Sequence, residues 1–321
     1  MKKILILGGG TAGTMMANKL FKALDRQEWE ITIVDQHKTH YYQPGFLFIP
    51  FGIYNKSDVV KPKGDFFPSG VKVIYQEIDR IEGEENRVYL GDGSCLKYDF
   101  LIIATGTQTR PDETPGLLGD EWRKSIFDFY TVEGAVALQQ FFKSWEGGKL
   151  VLAISELPFK CPVAPIEFVC LAEAYFTEKG IRDKVDITYV TPLPGAFTKP
   201  IATKMLSQLL EDKNIKVVPE FYLESVDNEK KVIKSYDEVE IPFDVLTIVP
   251  VNMGSEMIER SGLGDDMNYV ETDKETLQSK KFENIFVLGD AANIPTSKAG
   301  SVAHFAAEIL FENMMNAIEN R

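Results

Sequence analysis

Only three cysteines occur in 321 residues, far too few for a disulfide framework. A reducing compartment is therefore the default, and each thiol has to be read singly. No apolar run approaches the roughly 18 residues needed to span a bilayer. Basic residues are in deficit: 35 Lys and Arg against 48 Asp and Glu give a formal charge of −13, and no basic stripe is visible. That balance argues against a nucleic-acid surface. Of the three histidines, His37, His40 and His304, no pair has metal spacing with a third ligand in reach, so no metal is expected. Low-complexity tracts, short repeats and flexible linkers are missing as well.

The N-terminal Lys2-Lys3-Ile4-Leu5-Ile6-Leu7 runs into glycines instead of a cleavage site and reads as a strand. The last helix-like stretch, Val302 to Ile318, carries Glu308 and Glu312 but no Lys, the wrong charge for an anchor on anionic lipid. A cytosolic protein with at most peripheral membrane contact is the expectation. What the chain does have is 44% apolar and 26% charged residues, an ordinary globular α/β composition, and length for about two domains.

Ile4 to Leu7 is a short apolar run, followed by Gly8-Gly9-Gly10-Thr11-Ala12-Gly13, a helical pattern through Met15, Leu20 and Leu24, and then Ile31-Thr32-Ile33-Val34-Asp35. This is a complete βαβ unit of about 30 residues, the context in which a glycine fingerprint carries meaning. Strand candidates follow at Val71 to Ile74, in a hairpin turned by Gly91-Asp92-Gly93, and at Leu101 to Ala104. A second α/β unit starts at Leu150 to Ile154, runs through a helix near Ile166 to Glu178, and adds Asp186 to Val190, a helix Ile201 to Leu210 and Ile215 to Val218. Ile285 to Asp290 reads as a strand returning to the first domain. The expected division is a discontinuous dinucleotide-binding domain, residues 1–108 with 270–321, and a second Rossmann-like domain, residues 109–269.

Gly8, Gly10 and Gly13 supply a tight turn, a bare backbone that admits a pyrophosphate to the helix start at Thr11 and Ala12, and close helix–strand packing. Asp35, with Gln36 beside it, ends the second strand where a carboxylate accepts ribose hydroxyls. An acid there suits FAD or NAD and disfavours a 2′-phosphate. Two later segments, Ala104-Thr105-Gly106 and Gly289-Asp290, each follow an apolar strand. Together with the fingerprint they resemble the flavoproteins with two dinucleotide domains, the glutathione-reductase type. That resemblance implies FAD as cofactor, with Asp290 on its ribityl chain.

The second unit would need its own glycine-rich turn after Ile154 to take a pyridine nucleotide. Ser155-Glu156-Leu157-Pro158-Phe159-Lys160-Cys161-Pro162 stands there instead. No glycine admits a pyrophosphate, so NAD(P)H is not expected as a direct donor. Cys161 precedes a helix with prolines in its first turn. A helix N-terminus and Lys160 both favour a thiolate, which makes Cys161 a nucleophile candidate against the plainer reading of a small buried thiol. Cys170 lies about 12 Å along the helix, beyond disulfide reach, and reads as core; Cys95, in the hairpin, reads as structural.

The chain resembles the sulfide:quinone oxidoreductases, with flavocytochrome c sulfide dehydrogenase flavoprotein next. The resemblance is carried by Tyr41-Tyr42-Gln43-Pro44-Gly45, Cys161 through Glu167, Glu173 through Phe176, Asp273 through Gln278, and Gly289-Asp290 through Lys298. It implies a sulfide substrate, a Cys161 that carries a persulfide or a flavin adduct, a proton-relaying Glu167, a Lys298 near the flavin pyrimidine edge, and a quinone or other acceptor. Competing readings are a favourable acid at a helix start for Glu167 and a solvated surface cation for Lys298. The segment Tyr41 to Tyr54 is either a cover over the flavin or ordinary loop packing. Two departures stand out: Ala291-Ala292 occupies the place where the mitochondrial-type branch has its second redox cysteine, and the chain ends at Arg321 without the family's C-terminal extension. A partner-dependent flavoprotein subunit or redox sensor, and an NADH-quinone reductase, are the alternatives. A homo-oligomer stays open.

Overall fold

The structure is a computed structural model that describes residues 1–319. The elements that position the functional residues are β1 (Lys2–Leu7), α1 (Thr11–Ala23), β2 (Trp29–Val34), β3 (Thr39–Tyr41), β4 (Val60–Pro62), β5 (Lys72–Ile74), β6 (Phe100–Ile103), β7 (Ile126–Phe127), α2 (Val132–Ser144), β8 (Gly148–Ile154), α3 (Ala164–Glu178), β9 (Val185–Val190), α4 (Pro200–Asp212), β10 (Ile215–Val218), β11 (Val245–Val249), β12 (Ile285–Val287) and α5 (Gly300–Ile318). The chain folds as two compact units, one of residues 1–41, 60–108 and 253–321, the other of 42–59 and 109–252. Among the described residues no helix is long and apolar enough to cross a membrane.

In the first unit a parallel sheet runs in the order β12-β6-β1-β2-β5. Alternate residues of β1 enter different cores. Ile4 and Ile6 pack with Met16 and Leu20 of α1 and with Leu310 and Met314 of α5. Leu5 and Leu7 pack on the other side with Leu101, Val287 and Ile258. Both faces are thus covered, which is why β1 and β2 read as near-continuous apolar runs rather than alternating ones. The strand after the excursion, β12, pairs with β6, so the chain does return to the first sheet as Ile285 to Asp290 suggested.

The second unit repeats the plan with the order β7-β11-β8-β9-β10, again parallel. Val151, Ala153, Leu246 and Ile248 face one core. Aromatic side chains of α2 and α3 meet, Phe142 against Phe176 with centroids 5.2 Å apart, and Phe129, just before α2, stacks on Phe168 at 4.7 Å.

The two units differ from the division at 109 and 269 in two places. The return to the first unit comes at Met253. The segment Tyr42–Val59 belongs with the second unit, because Phe51 packs on Phe168 (centroids 5.1 Å) and the Gln139 side-chain amide donates to the Ile49 carbonyl at 2.7 Å. An aromatic loop has no periodicity that would tell which core it joins.

Candidate functional site

The glycine turn between β1 and α1 is built by close backbone contact. Gly8 has φ +96°, and a Cβ on it would stand 2.4 Å from the Ala104 carbonyl oxygen; a Cβ on Gly13 would stand 1.9 Å from the Gly8 oxygen. Both positions exclude any side chain. Gly10 differs: a Cβ there would meet nothing within 4 Å, so packing does not require glycine at this position. The bare backbone at Gly10 opens instead onto space at the start of α1, whose N-terminus has no side-chain cap. Such an end, with N–H groups free to donate, suits a pyrophosphate.

The other cofactor candidates converge on this turn. Gly8 N–H donates to the Val34 carbonyl at 2.8 Å and Leu288 N–H to Ile103 at 2.9 Å, which brings the ends of β2, β6 and β12 level with the end of β1. Gly289, at φ +76°, would place a Cβ 3.3 Å from Ala12 Cβ. Thr105 and the neighbouring Thr107 hold buried hydroxyls with no hydrogen-bond partner, and Gly106, at φ +65°, faces open space. Orphaned buried hydroxyls cost free energy unless a ligand takes them up. Gly8, Gly10, Thr11, Ala12, Gly13, Asp35, Ala104, Thr105, Gly106, Gly289 and Asp290 therefore form one constellation that fits a dinucleotide; Gln36 is exposed beside it.

Asp35 is not a bare carboxylate. Its Oδ2 accepts from Gly9 N–H at 2.7 Å and pairs with Lys63 Nζ at 2.6 Å, while its Oδ1 accepts from His37 N–H at 2.7 Å. Lys63, in the short turn Lys63–Phe66, is 5% exposed. Nothing in the sequence marked it, because no motif links it to Asp35. Burial and the Lys63 ammonium together push the nearby His40 imidazole below its ordinary range.

Lys298 is also buried, at 7% exposure. Its Nζ donates to the Ala292 carbonyl at 2.6 Å and lies 4.0 Å from the Tyr269 ring centroid. Burial pushes the ammonium down, and Asp290 and Asp265 partly offset this. The reading of a solvated surface cation does not hold. Ala291 and Ala292, the latter the acceptor of that hydrogen bond, are buried.

In the second unit the turn after β8 holds the thiol. Cys161 is half-buried and has φ +50°, a left-handed conformation that costs a side-chain-bearing residue about 1–2 kcal/mol. Its carbonyl accepts from Ala164 N–H at 2.9 Å, leading into α3 with Pro165 in the first turn. Two contacts pin the residue before it. Tyr130 Oη donates to the Lys160 carbonyl at 2.8 Å, and Lys160 Nζ donates to Gln43 Oε1 at 3.1 Å.

Tyr130 was not visible as a functional residue, yet its position is over-determined. The carboxylate of Asp128 accepts from Tyr130 N–H, Thr131 N–H and Thr131 Oγ1 and pairs with Arg123 at 2.7 Å. Thr131 in turn caps α2. Burial pushes the Tyr130 hydroxyl well above its ordinary range, with smaller contributions from Cys161, Tyr189 and Glu167 around it. Tyr189, fully buried on β9, is pushed up to about 12 by burial. Glu167 is exposed along the helix surface, but desolvation of its carboxyl raises it above the usual carboxylate range. Cys161, Glu167, Tyr130 and Tyr189 are thus electrostatic neighbours.

Cys170 is half-buried on α3 with its thiol pushed up by burial, and Cys95 is exposed on its hairpin strand. No disulfide joins the three cysteines.

Residues 2–144 match the family model described as pyridine nucleotide-disulphide oxidoreductase. The chain is 28% identical over 319 residues to the mitochondrial sulfide:quinone oxidoreductase of Dictyostelium discoideum, covering 98% of this chain and 70% of that protein. It is likewise 28% identical to the one from Mus musculus, covering 99% and 72%. The crystal structure of the sulfide:quinone oxidoreductase of Aquifex aeolicus superposes with a TM-score of 0.87 at 20% identity, covering all of this chain and 78% of that one, a likeness of fold. The constellation at the N-terminal turn thus fits FAD, and over nearly its whole length the chain is similar to the sulfide:quinone oxidoreductases.

Proposed function

We propose that the protein oxidises sulfide at Cys161 and passes the electrons through FAD to a quinone or another acceptor. The observation that carries this reading is the turn after β8: a glycine-free loop that holds a cysteine in a left-handed conformation just before α3, with the carbonyl preceding it held by Tyr130. Strain of that kind is stored where function needs a fixed geometry.

The residues divide the work as follows. The backbone of Gly8 to Gly13 would receive the pyrophosphate of FAD and Asp35 its ribose, and Asp290 and the hydroxyls of Thr105 and Thr107 would offer polar contacts further along. FAD supplies two-electron acceptance when bound. Lys298, buried and facing Asp290 and Asp265, would in its ammonium form stabilise negative charge developing nearby. At Cys161 the thiolate would bond to the sulfur of hydrosulfide and remain as a persulfide, an oxidation whose two electrons need the acceptor that bound FAD would supply. The hydrosulfide proton goes to Glu167. A carboxyl whose pKa is raised by desolvation exchanges protons closer to neutral pH than an ordinary glutamate does. Tyr130 fixes the Lys160 carbonyl and through it the direction of the thiol.

The test is anaerobic: sulfide is added to the yellow holoprotein and the flavin absorbance is followed. Bleaching with sulfide that is lost in Cys161→Ser supports the reading. NADH is the control, and rapid bleaching by NADH with no response to sulfide would overturn it.

A further inference from the structure

We propose that Lys63 is a second ribose-binding residue for FAD, reading the adenosine diol together with Asp35. This rests on FAD binding at the N-terminal turn and is independent of what the enzyme oxidises. The Lys63–Asp35 pair is nearly dry, with side-chain exposures of 6% and 11%. Burying a lysine this deeply requires partners for its ammonium, and the ion pair occupies one of three N–H donors.

The position of Lys63 is fixed from three sides. Its backbone N–H donates to the Lys38 carbonyl at 2.8 Å, continuing the β3–β4 hairpin. The Asn18 side chain of α1 donates to the Phe66 carbonyl at 3.0 Å and ties the turn to the fingerprint helix. A Cβ on Gly9 would stand 3.2 Å from Lys63 Cδ, so the lysine stem lies directly on the glycine turn.

Counting donors and acceptors then assigns the role. A carboxylate offers about four lone-pair sites. On Asp35, Oδ2 already receives Gly9 N–H and Lys63 Nζ, and Oδ1 receives His37 N–H. One site remains. The adenosine ribose presents two adjacent hydroxyls, so Asp35 accepts from one and the other has to be met by a donor. The ammonium of Lys63, held against Asp35 Oδ2 with two N–H to spare, is that donor.

The test measures FAD affinity and not turnover. Holoproteins carrying Lys63→Met, Lys63→Arg and Asp35→Asn are equilibrated by ultrafiltration and free FAD is quantified by fluorescence, beside parallel samples loaded with the 2′,3′-dideoxyadenosine analogue of FAD. Lys63→Met is expected to weaken FAD by about 10- to 100-fold, the range for a lost hydrogen bond to a charged group, and Lys63→Arg to recover most of it. Lys63→Met should also narrow the gap between FAD and the analogue. Unchanged FAD affinity, or an equal loss for FAD and the analogue, would overturn the proposal by making Lys63 purely structural. If Lys63→Met does not fold, Asp35→Asn decides: a preference for FAD over the analogue of about tenfold must survive there, and its disappearance would overturn the proposal.

Discussion

The turns after β1 and after β8 occupy the same place in their own sheets, each leaving a central parallel strand for a helix, and they do different chemistry. After β1, Gly8 lies against the Ala104 carbonyl and Gly13 against the Gly8 carbonyl, while Gly10 is left open to a phosphate. After β8 there is no glycine from Ser155 to Val163, and the chain reaches its helix through prolines and a strained cysteine. A βα turn is thus a topological position and not a nucleotide site in itself. What it binds is set by whether the backbone is bare or the turn carries a nucleophile.

The contrast can be broken or sharpened by substitution. The largest effect is expected for Gly8→Val, whose side chain would collide with the Ala104 carbonyl and demand a left-handed backbone of a β-branched residue. A loss of about 3 kcal/mol or more follows, read by urea unfolding and by FAD content. Gly10→Ala is the sharper partner experiment, since it meets no atom of the chain: stability should hold while FAD affinity falls.

In the second turn, Glu167→Gln should slow reduction by sulfide about a hundredfold. The sign with pH follows from the raised pKa: the proton-accepting carboxylate exists only above it, so the wild-type rate falls as pH drops through that elevated value, and this acid limb should vanish in the variant. Tyr130→Phe leaves the Lys160 carbonyl without its hydroxyl donor and should cost about tenfold in the same rate, with FAD content unchanged. The smallest effect is a gain. Cys161→Gly relieves the left-handed strain and should stabilise the protein by about 1 kcal/mol in thermal unfolding while abolishing the reaction with sulfide.

How much of this was legible in the sequence divides along the same line. The first turn announces itself, because glycine is chosen there for backbone reasons that act within a few residues of the motif. The strands from Ile4, Ile31, Leu101, Leu150 and Ile285 were legible too, since burial on both faces leaves a continuous apolar run. Cys161 was legible by contrast, as a thiol where glycines were missing. Its left-handed backbone was not, because φ at a non-glycine residue is imposed by surroundings such as Tyr130 on the preceding carbonyl. Lys63 and Tyr130 act on residues 28 and 30 positions away, through tertiary contacts that no local period encodes. Lys298 was marked by the resemblance alone; its burial against the Tyr269 ring is a tertiary contact that no local pattern encodes. The membership of Tyr42–Val59 in the second unit rests on Phe51 and Gln139, again a contact of high sequence separation.

The most direct measurement is a stopped-flow titration of the anaerobic holoprotein with sulfide, wild type against Cys161→Ser, with FAD content matched. The expected result is loss of the oxidised-flavin absorbance in the wild type with one sulfide consumed per FAD, and a rate at least a thousandfold lower in the serine variant. Equal bleaching of both proteins by sulfide would contradict the assignment of Cys161 as the sulfur-bearing residue.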